Sequence, residues 1–94
     1  MISTSSRKAK GRRLQNKVRD LILEKFDLHP DDVRGAIMGE SGEDIKLSHF
    51  ARERFPFSVE CKAQEKLNIW ESLKQAESNS EKGKPVLLYR SKIF

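Results

Sequence analysis

The chain holds one cysteine, three prolines and few aromatic residues, and no long apolar run. Each shortage excludes something. With Cys61 alone, no intramolecular disulfide can form, and its place in an apolar segment reads as a small buried hydrophobe. No stretch approaches the ~20 apolar residues that a membrane helix needs. The N-terminal basic residues are not followed by an apolar segment, so no secretory signal is legible. A cytoplasmic protein without membrane contact is the expectation. There is no Gly-rich phosphate loop, which leaves nucleotide hydrolysis unsupported. His29 precedes Pro30 in a turn and His49 opens a polar segment; neither has a Cys or His neighbour at zinc spacing. Repeats, low-complexity tracts, helix-turn-helix and zinc-finger patterns are all missing, and nothing calls for a small-molecule cofactor.

Positive charge is plentiful and uneven. Lysine and arginine total 19 against 14 acids, a net charge of +5. Arg7, Lys8, Lys10, Arg12, Arg13, Lys17 and Arg19 all precede the first acid, Asp20. Such a block suits a polyanion such as DNA, although a solvated helix face would look the same. Arg12, Arg13, Lys17 and Arg34 are the candidate phosphate contacts, which give salt-sensitive affinity and little sequence information. The 94 residues make one domain, 1–94, and a domain of that size is marginal alone, so a homodimer is expected.

Apolar spacing organises the chain. Residues 1–6 are rich in Ser and Thr and read as a frayed terminus. Leu14, Val18, Leu21, Ile22 and Phe26 define one face of a helix over Arg7–Phe26, with Gln15 at its edge. Pro30 breaks it. Short strands follow at Val33–Met38 and Asp44–Ser48, then a short helix capped by Ser48. Pro56 introduces a strand over Phe57–Lys62. Leu67–Glu77 is helical, with Leu67, Trp70 and Leu73 read as core, and Pro85–Tyr89 is a buried strand. The order α, β, β, short α, β, α, β predicts an α/β fold with a mixed central sheet flanked by helices. The last strand lies so near the end of the sequence that the sheet is expected to have an exposed edge or to lack a neighbour.

The chemistry lies in Asp44 and in Glu60-Cys61-Lys62. Strand side chains alternate, so Glu60 and Lys62 share a face while Val59 and Cys61 take the other. Two carboxylates and an ammonium can hold Mg²⁺, with Mn²⁺ as a substitute, and act on a phosphate ester. Asp44, Glu60 and the Cys61 carbonyl are the candidate metal ligands. Lys62 would stabilise charge and position the attacking water. Glu43 points away from Asp44 and is a reserve ligand only. The ordinary reading of Glu-x-Lys on a strand is a solvated ion pair.

These residues resemble the PD-(D/E)XK nuclease superfamily, the restriction-endonuclease-like fold. The matching segments are Ser41-Gly42-Glu43-Asp44-Ile45, Phe55-Pro56-Phe57-Ser58-Val59-Glu60-Cys61-Lys62 and Gln64-Glu65-Lys66-Leu67-Asn68-Ile69-Trp70, with Gln75 further on. The likeness runs from about Gly11 to Arg90 and is closer to small phage and prokaryotic members, including resolvases of Holliday junctions. It implies Asp44 and Glu60 as metal ligands and Lys62 as the catalytic lysine. It also implies that Gln75 helps organise the site, although Asn79 stands where a tyrosine usually follows and a plain surface glutamine is the alternative. Ser41 would lie in a loop that approaches the DNA backbone, unless that loop is only a turn. Gln15 occupies the helix position where relatives often place Glu; its neutral amide can orient water or bind phosphate but adds no negative charge. Relatives continue with another strand and helix beyond the point where this sequence stops, so a truncated sheet is expected.

The resulting expectation is a Mg²⁺-dependent DNA endonuclease, structure-specific (junction-resolving) or nicking. The alternative is a non-catalytic basic nucleic-acid-binding module on the same fold. A protein-interaction module would leave Glu60 and Lys62 without a role.

Overall fold

A computed structural model describes residues 4–64, 66–81 and 83–90. Its elements are α1 (Thr4–Phe26), a 3-10 turn (Pro30–Asp32), β1 (Val33–Gly35), β2 (Ile45–Leu47), α2 (His49–Arg54), β3 (Ser58–Lys62), α3 (Ile69–Asn79) and β4 (Val86–Arg90). The protein is therefore a small α/β domain with the element order that the sequence predicts. No helix among the described residues is long and apolar enough to cross a membrane.

Helix α1 begins at Thr4, so Thr4–Ser6 are helical rather than frayed. Residues 1–3 and 91–94 lie outside the described residues. The helix ends at Phe26, as expected, four residues before Pro30. Asp27 takes the left-handed conformation, φ 50°, and the Leu28 N–H reaches back to the Leu23 carbonyl at 3.1 Å. That is the hydrogen bond of a Schellman-type stop, and buried Leu28 and half-buried Leu23 supply its apolar contact.

Leu14, Val18 and Ile22, spaced four apart, are buried on α1. They meet Leu28, Val33, Ile45, Ala51, Phe55 and Val59 in one core. Ser48 caps α2 as expected, accepting from the Ala51 N–H at 3.1 Å and donating to Asp32 at 2.7 Å.

The mixed central sheet is replaced by two pairs of strands. β1 and β2 run antiparallel, with Gly35 opposite Ile45, and β3 and β4 run parallel, with Glu60 opposite Leu88. One residue joins the pairs. The Asp44 N–H donates to the Val59 carbonyl at 3.0 Å, and the Cys61 N–H donates to the Asp44 side chain at 2.7 Å. A carboxylate thus takes the N–H that a longer β2 would have met with a backbone carbonyl.

Strand β3 is covered on both faces. Ser58, Val59 and Glu60 are buried in succession, which an alternating strand allows only when neither side is open. Val59 and Cys61 face the core under α1. Glu60 and Lys62 face α3, whose buried residues are Ser72 and Ala76. Trp70 is not core: it is 77% exposed, and Ile69 is exposed beside it. Ser72, Gln75, Ala76 and Asn79 form the i, i+3, i+4, i+7 face turned to β3. Small side chains there let the helix sit close, and the wide apolar ones turn outwards.

Candidate active site

Backbone geometry brings the site together at the seam between the two strand pairs. Asp44 is fixed at both ends by its bonds to Val59 and Cys61. A strand residue directs its N–H and C=O to the same edge. The Cys61 carbonyl therefore faces the Asp44 edge of β3, away from β4.

Glu60 follows on the neighbouring position and is 4% exposed. Lys62 lies two residues on, its Nζ 3.5 Å from Glu60 Oε1. The same Nζ donates to Gln75 Oε1 at 2.6 Å. Gln75 thus touches the cluster through Lys62 while it stays exposed on the surface of α3. Asn79, one turn later on the same face, has a small lowering effect on the Glu60 pKa.

The charges in this cluster do not balance. Burial raises the pKa of Asp44 from its ordinary value, against the lowering effects of the Cys61 N–H and Lys62. Burial also raises that of Glu60, and the neighbouring Asp44 charge adds to it. Glu60 Oε2 is buried with no hydrogen-bond partner among the described residues. Two carboxylates share one ammonium, and an oxygen is left over. Burial pushes the Cys61 thiol up to about 12, so it stays protonated and acts as packing.

A hard divalent cation is the ion that such an oxygen set could hold. Mg²⁺ binds through one or two carboxylates and keeps several waters. Asp44, Glu60 and the Cys61 carbonyl are of the right donor type. Among the described residues no group of three or more His, Cys, Asp or Glu side chains is gathered at metal-holding geometry.

Gln15 enters from α1. A Cβ at Gly35 would stand 3.0 Å from Gln15 Oε1, so the glycine lets this side chain lie on β1. Beyond Gly35, the Ala36 N–H donates to the Asp44 carbonyl at 2.8 Å. Gln15 and Asp44 accordingly line one open cavity of about 650 Å³.

The basic candidates divide. Arg12 lines that cavity, whereas Arg13 and Lys17 line a separate groove along α1. Arg34 is committed to Glu40 through two bonds of 2.8 Å, which holds the Glu40 carboxyl at about 2. Ser41 is exposed, and its carbonyl accepts from Lys46 Nζ at 2.6 Å. The adjoining Gly42 has φ 91°, and a Cβ there would meet Lys46 Nζ at 2.9 Å. Glu43 lies before β2 and is paired with Arg52 rather than with the cluster.

What Glu43 binds escaped the sequence reading. Arg52, 9% exposed, donates from Nη2 to Glu43 at 2.6 Å and from Nη1 to the Phe57 carbonyl at 2.7 Å. Its Nε stands 3.0 Å from Glu81. This arginine ties the segment before Asp44 to the start of β3 and the approach to β4. Its sequence signal, one of two arginines on a polar six-residue helix, is too weak to single it out.

The chain matches no protein-family model, and neither the curated proteins nor the solved structures contain a match to it.

Proposed function

We propose that this protein is a Mg²⁺-dependent endonuclease acting on DNA, with Asp44, Glu60 and Lys62 as its catalytic cluster. The observation that carries the reading is Glu60: a buried carboxylate beside Asp44 and Lys62, with one oxygen left unpartnered. The resemblance of Asp44 and Glu60-Cys61-Lys62 to the PD-(D/E)XK pattern supports it independently.

Asp44 and Glu60 would hold the ion, with the Cys61 carbonyl beside them. When bound, Mg²⁺ polarises a phosphoryl oxygen and lowers the pKa of water. Lys62 supplies positive charge where the phosphorane develops and donates to the incoming water. Gln75 holds that ammonium in place. Hydrolysis joins a water oxygen to phosphorus and breaks one P–O ester bond. The water loses a proton and the departing alkoxide gains one.

DNA is the proposed substrate because Lys8 and Arg12 of α1 line the same cavity as Asp44, and Arg13 and Lys17 add positive charge in a separate groove on that helix. A homodimer would present two such sites to two strands. The test is incubation of the full chain with branched, nicked and linear DNA, in Mg²⁺ and in EDTA. Cleavage that requires the metal and disappears in Lys62→Ala supports the reading. Cleavage in EDTA, or full activity in Lys62→Ala, defeats it. Salt-sensitive binding without cleavage in Mg²⁺ or Mn²⁺ would instead establish the binding-module alternative.

A further inference from the structure

The cavity that Asp44 lines extends away from the carboxylate cluster, between α1 and the loop after β1. Its volume of about 650 Å³ lies within the ~300–1,000 Å³ range of small-ligand sites. Besides Asp44 and Glu40, which is paired with Arg34, three kinds of group line it. Ile37 and Met38 form an apolar wall, and they are 69% and 75% exposed. Gln15 and Asn16 contribute amides, which can both donate and accept. Lys8 and Arg12 contribute cations with no ion-pair partner among the described residues, unlike Arg19 and Arg34, which are held by Asp20 and Glu40.

An apolar wall, amides and free cations, side by side, match the three parts of a nucleotide: the base face, its hydrogen-bonding edge and the phosphate. A base within a duplex presents only its groove edges, because stacking covers its faces. We propose that this cavity receives a single unpaired nucleotide of a DNA strand, next to the phosphate at Asp44 and Glu60. Ile37 and Met38 cover one face of the base, Gln15 and Asn16 meet its edge, and Lys8 and Arg12 hold the flanking phosphates. The proposal takes DNA as the ligand from the functional reading above, and it makes the preferred substrate a strand with at least one unpaired base.

The test uses oligonucleotides with a central 2-aminopurine, either in a one-base bulge or fully paired. The full chain is titrated in EDTA, so that cleavage plays no part. The cavity lining contains no aromatic ring. A base leaving the stack for this cavity therefore loses its quenching neighbours, and fluorescence rises. The expected results are a rise and tighter binding for the bulge, with Met38→Asp abolishing the rise and weakening bulge binding by about tenfold, the scale of one lost base contact. Met38 is exposed, so this variant should fold, and a circular dichroism spectrum checks it. Equal affinity for bulged and paired DNA, or an unchanged rise in Met38→Asp, overturns the proposal. If cleavage is never seen but the rise and its loss are, the cavity stands and the nuclease reading falls. If paired DNA is cut without preference and no rise occurs, the nuclease reading stands and the cavity proposal falls. Failure to bind any of these oligonucleotides overturns both.

Discussion

The Asp44 side chain accepts the Cys61 N–H at 2.7 Å while the Asp44 backbone donates to Val59 at 3.0 Å, so this one residue closes the seam between β2 and β3. Asp44→Ala removes the acceptor and leaves a half-buried N–H unmet. The expected loss is about 1–3 kcal/mol in urea unfolding. Asp44→Asn keeps an acceptor oxygen and should lose far less stability, yet under the proposed mechanism it loses Mg²⁺-dependent cleavage. Equal destabilisation by the two variants would contradict the seam role.

Glu60 and Asp44 both have raised pKa values, chiefly through burial. An acid whose folded pKa exceeds its unfolded value stabilises the fold below the unfolded pKa. That contribution is lost as pH rises through the folded pKa. Ionised Glu60 is therefore a cost at neutral pH. Glu60→Gln should raise Tm by a few degrees at pH 7, with the gain fading as pH falls through the ordinary carboxylate range. Differential scanning fluorimetry across pH reads this directly. A gain that grows towards low pH would show the opposite sign.

Mg²⁺ should relieve that cost in the native protein. Thermal stability at pH 7 is expected to rise with added Mg²⁺, by about 2.7 kcal/mol when the ion is at 100 times its Kd. The effect should vanish in Glu60→Gln and Asp44→Asn. A Mg²⁺-induced rise that persists in both variants would place the ion elsewhere.

Arg52 is nearly enclosed, and Glu43 lies against it with Oε2 already unpartnered. Arg52→Ala leaves a buried carboxylate with no cation, at an expected cost of about 3–5 kcal/mol in urea unfolding. Pairing the change with Glu43→Gln should recover part of that loss. Glu81→Ala removes the more exposed arm and should cost under about 1 kcal/mol.

Trp70→Ala should change stability by no more than about 0.5 kcal/mol, because the ring is exposed. A loss of several kcal/mol on thermal unfolding would mean that the indole is covered in solution.

Sequence reading reached the elements but not the packing of α3. The periods of α1 and the alternation of β3 are strong signals, and Leu14, Val18, Ile22 and Val59 are buried accordingly. Asp44, Glu60, Lys62 and Gln75 were legible as residue types at family-like spacing. Helix α3 misled because its inward face, Ser72, Gln75, Ala76 and Asn79, is small and polar. Apolar periodicity chose Trp70 instead, since it cannot register a face buried for closeness to Glu60 and Lys62. The division of the expected single sheet into two strand pairs was missed because β2 has three residues, and no pattern marks an aspartate side chain as the substitute for a strand hydrogen bond.

Strands β3 and β4 lie parallel, and α3 is the segment that connects them. A parallel pair cannot be made by a tight hairpin; the whole crossover must fold back before the first rung forms. Gln75 sits on that crossover, and its partner Lys62 sits on the strand that waits for it. Lys62 is therefore held against Gln75 only in molecules that have completed this topological step.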